Sequence, residues 1–409
     1  MTPLPASKFL DRTTPPHITT LVLLSGLSAL SMNVFLPSLP NMAAYFHTDY
    51  ALMQLSVTLY LGLTGFLQLI IGPLSDRYGR RPVILAGTMI FLFASVGCLL
   101  ATSVEVFLVF RMIQTGIAIG MVLSRAIVRD IVPANQAASM IGYVTMGMAV
   151  VPMVAPAIGG YLDDFFGWKA NFSVLLLAGL IIGTIIWFDL GETNRNKSAS
   201  FTAQIKDYPE LLRSRRFWGY CLTAAFASGS FFAFLGGAPF IGTHVFKLPA
   251  SGLGVYFGIV SIGYMAGNFV SGRYSTTFGI NKMMLYGTLV MLFGVCCSLV
   301  VLNLGFVHPM SFFGAMLFVG AGNGMTLPNS NAGLVSVRPR LAGSASGLGG
   351  AIQLLGGASL AALAGAILTP SSGAFPLLYL MISTSVAALL VIWYIMRVER
   401  QAGALSNQT

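Results

Sequence analysis

An all-α integral membrane protein, with twelve transmembrane helices in two pseudo-symmetric six-helix halves, is the expected fold class on three counts. The chain of 409 residues is 56% hydrophobic and only 8% charged, with a mean hydropathy of +0.81; soluble domains carry about 25% charged residues. Its apolar residues gather into runs of roughly 20, the length that crosses a hydrocarbon core. Its cations fall between those runs, and nearly all of them on one side of the membrane.

The runs lie at 18–39, 51–71, 82–101, 105–127, 138–161, 170–189, 217–239, 252–272, 283–303, 309–330, 342–368 and 374–396. A polar stretch from Gly191 to Trp218 divides them six and six. The expected organisation is an N-terminal bundle over 1–190, a linker over 191–216, a C-terminal bundle over 217–396 and a tail over 397–409. With the N-terminus in the cytoplasm, 19 of the 22 Lys and Arg residues are cytoplasmic; Lys169 and Lys247 lie outside and Arg111 within the membrane. That bias sets orientation, so both termini are expected in the cytoplasm. It also explains the net charge of +10 as a signal facing anionic lipid rather than a nucleic-acid patch. Arg77-Tyr78 follows the second span and Arg273-Tyr274 the eighth, 196 residues on, each soon followed by a glycine, Gly79 or Gly279. Two six-helix halves about a central linker suit a rocker-switch transporter, with its site between the halves near the midplane.

The segment before Ile18 is polar and proline-bearing, and the first run is long enough to span and stay, so no cleavable signal is expected. The first span ends in SMNVFLPSLP, with the amide Asn33 ahead of Pro37 and Pro40. The second carries Tyr60 and runs into GPLSDRYGRRP, in which Gly72 admits a close neighbour. Asp76 is placed to meet a helix N-terminus or an arginine, and Arg77, Arg80 and Arg81 supply cations around Gly79. The fourth span contains LVFRMIQTGIAIG. A charge there costs roughly 2.5–3.5 kcal/mol on insertion scales, so Arg111 either faces a cavity or partner, or snorkels towards Glu105. The span closes with RAIVRD, where Arg125 and Arg129 share a helix face and Asp130 is positioned to pair with Arg80 or Arg77, or else decorates the helix end. In the fifth span, VPMVAPAIGGYL combines Pro152 and Pro156, which remove backbone donors, with Gly159 and Gly160, which permit close packing. Within the C-terminal spans, Phe231, Phe232, Phe234, Tyr256, Tyr264, Asn268, Asn323, Asn329 and Gln353 are candidate pocket residues. Aromatic faces accommodate lipophilic molecules, although each aromatic is equally at home in packed core or against lipid.

The ordered motifs of the N-terminal half resemble the major facilitator superfamily: its cytoplasmic-loop signature, its span-four Arg-x-x-Gln pattern with Thr115 at a usual glycine, and its span-five antiporter signature with Ala155 at another. With the lead-in QLSVTLYLGLTGFLQLIIGPLSDR and the RAIVRD ending, they are similar to the Bcr/CflA-type drug:proton antiporters, the branch of bicyclomycin and chloramphenicol or florfenicol exporters. The C-terminal half resembles that branch in outline only. The resemblance implies a proton-coupled inner-membrane exporter of lipophilic small molecules, with Arg111 in proton or substrate coupling and the Arg125–Asp130 cluster latching the outward-open state. No cofactor or metal is implied, no nucleic acid, and a monomer in the lipid bilayer.

One departure bears on coupling. The branch usually has Asp where this chain has Asn33. Amides and guanidinium groups do not titrate in practice, and none of the twelve acids lies near a span midplane; all four histidines lie at span ends or in loops. Either Asn33 is an introduced mimic of a permanently protonated Asp, or coupling has moved to a peripheral acid such as Asp163 or Glu105, or the protein is a facilitator. Export of an endogenous metabolite, or a non-transporting sensor or scaffold, are the competing functions. An enzyme is not expected: there is no HExxH, GxSxG or Walker sequence and no intramembrane cluster of His or acids. The four cysteines, Cys98, Cys221, Cys296 and Cys297, sit in apolar runs as small hydrophobes.

Overall fold

The computed structural model describes residues 7–132, 134–194, 208–338, 341–369 and 372–406, which contain helices and no strand. Half of the predicted linker, residues 195–207, therefore lies outside the described residues. The chain divides into two units, Met1–Ala203 and Gln204–Thr409. Among the described residues, eleven helices are long and apolar enough to cross a membrane. The predicted fifth span falls within a further helix, Ala134–Phe166, of 33 residues. Large apolar side chains point outward from these helices, among them Phe93, Leu100, Phe165 and Phe269, each more than 60% exposed. In water such a surface would drive aggregation; in lipid it is the solvent-facing side.

In the first unit the leading span is broken. Helix α1 (Ile18–Asn33) gives way to a 3-10 turn at Leu36–Ser38 and then to α2 (Leu39–Tyr45). Pro37 has no N–H to offer the preceding turn, so the run predicted as one helix over 18–39 unwinds beside Asn33. The second and third spans are α3 (Tyr50–Tyr78) and α4 (Arg80–Leu100). The fourth is also interrupted, with α5 (Val104–Ile113) and α6 (Ile119–Ile131) joined by a 3-10 segment at Gln114–Ala118. Thr115 turns its hydroxyl back to the Met112 carbonyl at 2.6 Å, a contact that competes with regular helix geometry. The fifth and sixth spans are α7 (Ala134–Phe166) and α8 (Lys169–Asp189).

The second unit comprises α9 (Arg215–Phe240), α10 (Ala250–Phe278), α11 (Ile280–Asn303), α12 (Pro309–Phe313), α13 (Met316–Ser336), α14 (Ala342–Ile367) and α15 (Phe375–Ser406). The last helix continues ten residues past the predicted end of its span. The sequence repeat has a backbone counterpart. Gly79 (φ 105°, ψ 155°) and Gly279 (φ 82°, ψ 154°) each end one helix and start the next in the same conformation, one that side-chain-bearing residues avoid. Helices α10 and α13 pack backbone against backbone: a Cβ on Gly263 or Gly320 would lie within 2 Å of Leu317 or Val260 carbonyl oxygen. Without water to drive association, such small-residue contacts hold membrane helices together.

Candidate functional site

Arg111 is fully buried. Its Nη2 donates to the Ser31 carbonyl at 2.8 Å, Nη1 to Ser31 Oγ at 3.2 Å and to Gln114 Oε1, and Nε to the Ser56 carbonyl at 3.4 Å. The guanidinium lies between two rings, 4.3 Å from the centroid of Phe35 and 4.0 Å from that of Tyr60. Gln114 in turn donates to Ser95 Oγ at 2.8 Å. The seat thus draws on the first four spans. The unwinding after Asn33 matters here, because the last carbonyls of a helix lack intrahelical partners and one of them receives the arginine. No carboxylate touches the charge among the described residues. Neutral acceptors and two π faces compensate its burial instead, and it does not snorkel towards Glu105.

The other two predicted coupling residues sit differently. Tyr60 belongs to the seat and donates its hydroxyl to Ser31 Oγ at 3.2 Å. Asn33 is buried, but its amide nitrogen donates to the Ala29 carbonyl of its own helix at 2.7 Å. Ser31 and Gln114 are central, although only the Arg-x-x-Gln spacing hinted at the second. Chemically the seat is a fixed positive charge. None of its members can shuttle a proton at ordinary pH.

Around the loop between the second and third spans, Arg80 is the hub. It pairs with Asp76 at 2.6 Å and with Asp130 at 3.0 Å, and touches Ser75 Oγ. Asp130 therefore meets Arg80 rather than Arg77, which is exposed and lies over the Tyr78 ring. Arg81 closes the end of the sixth span through the Leu190 and Trp187 carbonyls at 2.8 and 3.2 Å. Glu192 accepts from the Arg80 and Arg81 amides at 2.9 and 3.3 Å, capping α4; its role carries no local sequence signal. Asp189, also overlooked, is buried and accepts from the Leu10 and His17 amides at 2.8 and 2.9 Å. Gly72 has open space where a Cβ would be. Arg129 is exposed, and the Nε of half-buried Arg125 has no hydrogen-bond partner.

In the fifth span, Pro152 and Pro156 lie within the continuous α7. Gly159 is the contact point: a Cβ there would stand 1.7 Å from the Val34 carbonyl oxygen. Gly160 beside it is buried. Asn171 on α8 donates to the Gly159 carbonyl at 3.2 Å and to Ser38 Oγ at 2.9 Å.

The candidate pocket residues of the second unit have several local sets of partners. Phe234 is packed among Phe257, Phe312 and Phe313 at 5.1–6.2 Å, and Tyr256 stacks on Phe313 at 5.0 Å. Phe232 is buried, with half-buried Phe231 against it at 5.9 Å. Asn268 beside half-buried Tyr264 returns its amide to the Tyr264 carbonyl at 2.8 Å. Asn329 bonds Ser271 Oγ and the Met325 carbonyl at 2.8 and 2.7 Å. Asn323 is buried, donates to the Val319 carbonyl at 3.0 Å and leaves its Oδ1 without a partner. Gln353 is half-buried.

Comparison with known proteins agrees with this architecture. Residues 21–359 match the Major Facilitator Superfamily. A bicyclomycin resistance protein homolog of Haemophilus influenzae is 28% identical over 384 residues, 92% of this chain and 95% of that protein. A chloramphenicol resistance protein of Pseudomonas aeruginosa is 32% identical over 311 residues, 74% and 73% of the two chains. The crystal structure of a D-xylose-proton symporter superposes with a TM-score of 0.74 at 16% identity, covering 92% of this chain and 96% of that one; this likeness is one of fold. The chain is a multi-pass membrane transporter, not an enzyme, and it belongs to the Major Facilitator Superfamily.

Proposed function

We propose that the protein exports lipophilic, drug-like small molecules across the bacterial inner membrane by alternating access, with both termini cytoplasmic and with protons moving in exchange. The observation that carries this reading is the near full-length similarity to proteins named for bicyclomycin and chloramphenicol resistance. The distribution of 19 of 22 cations on one face supports the orientation. The seat of Arg111 supports a structured charge at the heart of the first unit, where the family resemblance puts coupling. Because Asn33 and Arg111 do not titrate, the exchanged proton needs a carboxylate elsewhere, and the acids of the chain are peripheral, Asp163 and Glu105 among them.

The test is uptake of chloramphenicol and ethidium into proteoliposomes with and without a pH gradient, the chain as written beside Asn33→Asp. Gradient-driven accumulation of either compound is expected. Absence of movement for both overturns export of such compounds. An unchanged substrate-driven proton flux in Asn33→Asp removes position 33 as the missing coupling site.

A further inference from the structure

Asp163 lies on α7 just past the predicted fifth span and is 6% exposed. Asn41 of α2 donates to its Oδ2 at 2.7 Å, and the Ser38 hydroxyl lies beside the same carboxylate and favours its charged form. Both residues come from the broken half of the first span. Asn171 ties the same hydroxyl to α8, and its buried Oδ1 has no hydrogen-bond partner. The cluster therefore joins the hinge of span one to spans five and six, one turn from the Gly159–Val34 contact.

No cation lies at ion-pair distance from Asp163 among the described residues. The segment Leu36–Tyr45 carries no charged side chain, and Tyr45 is its only titratable group; His47 and Asp49 follow it. On α7 the neighbours are Tyr161 and Asp164, the latter a like charge. At the start of α8, Lys169 is directed over the rings of Tyr45 and Trp168, at 5.4 and 5.7 Å.

We propose that Asp163 is a proton-binding site that controls the bend in the first span. Ionised, the carboxylate accepts from Asn41, with the Ser38 hydroxyl beside it, and holds the Leu36–Tyr45 segment against α7. Protonated by a proton from water at this end of the bundle, where Asn41 is exposed, it becomes a neutral acid and a weaker acceptor. The two side chains are then free to leave, and the segment with them. Their departure in turn favours the proton, because burial penalises an unpaired carboxylate while hydrogen bonds to the charged form favour it. Proton occupancy and the position of span one are thereby linked. The inference adds a proton site to the coupled transport proposed above, yet it is read without any drug.

The test is amide hydrogen exchange on the purified full chain in nanodiscs from pH 8 down to pH 4, through the ordinary carboxylate range, corrected for the intrinsic rate. Protection of Leu36–Tyr45 is expected to fall about tenfold or more on acidification, as hydrogen bonds to a charged acceptor are lost. Asp163→Asn should show the low protection at both pH values, and Asp163→Glu should keep the response with a displaced midpoint. An unchanged response in Asp163→Asn overturns the proposal; should that variant fail to fold, an unmoved midpoint in Asp163→Glu does so. Chloramphenicol-driven proton flux in proteoliposomes is measured alongside. If the wild-type chain neither binds nor moves chloramphenicol, the export reading fails, while the exchange data still decide the role of Asp163.

Discussion

Replacing Arg111 by Lys keeps the charge and removes the fork. The guanidinium reaches acceptors on three sides, at Ser31, Ser56 and Gln114, while stacked between Phe35 and Tyr60. An ammonium presents three donors from one point and no plane to stack. It can serve the Ser31 carbonyl or Gln114, but it leaves one of them without a partner, while the Ser56 carbonyl keeps the backbone bond it has inside α3. The Ser56 contact is long, at 3.4 Å, so most of the loss comes from the bond to Ser31 or Gln114. Hydrogen bonds involving a charged group contribute about 1.5–3 kcal/mol each, and weakened stacking adds about 0.5–1 kcal/mol. A loss of roughly 2–4 kcal/mol follows, about 30- to 1000-fold in the ratio of folded to unfolded protein. Equilibrium unfolding in mixed micelles, titrated with SDS and followed by tryptophan fluorescence, measures it. Arg111→Lys within about 0.5 kcal/mol of the wild type would refute the reasoning, since a point charge would then satisfy the seat as well as a fork does. Arg111→Met serves as the reference in which both the Ser31 carbonyl and Gln114 Oε1 lose the arginine's donors, and it should be less stable than the lysine variant.

Three further outcomes are expected from the packing. Gly159→Ala places a methyl 1.7 Å from the Val34 carbonyl oxygen, and overpacking of this kind costs about 1–3 kcal/mol or more; a lowered midpoint in the same SDS titration is the measurement. Gly79→Ala and Gly279→Ala both force a side chain into a positive-φ conformation at about 1–3 kcal/mol. The first should be the more damaging of the two, because its Cβ also meets Glu192 Oε2 at 2.3 Å while Gly279 faces open space; equal thermal shifts would contradict this. Glu192→Ala uncaps the Arg80 and Arg81 amides, for an expected loss of about 0.5–2 kcal/mol and faster amide exchange confined to the first turn of α4.

What was legible in the chain itself follows from the bilayer. A crossing helix must be long and apolar and must satisfy its own backbone, so the spans announce themselves without knowledge of their neighbours. Gly79 and Gly279 were visible as a repeat, and their shared backbone conformation gives that repeat a physical basis. Hydropathy drew a single helix across the break at Leu36–Ser38, because that turn is set within an unbroken apolar run.

The contacts that give these spans a mechanism were not legible. Arg111 was evidently an anomaly, yet nothing local pairs it with Ser31, 80 positions earlier, or says that neutral acceptors and two rings stand in for a carboxylate. Glu192 reaches the Arg80 amide across 112 positions, and Asp163 meets Asn41 across 122. Length and apolarity are properties of one segment, and the sequence by itself determined those. Which face of one helix meets which face of another depends on the packing of all of them, and only the tertiary structure decided where the buried charge would find its acceptors.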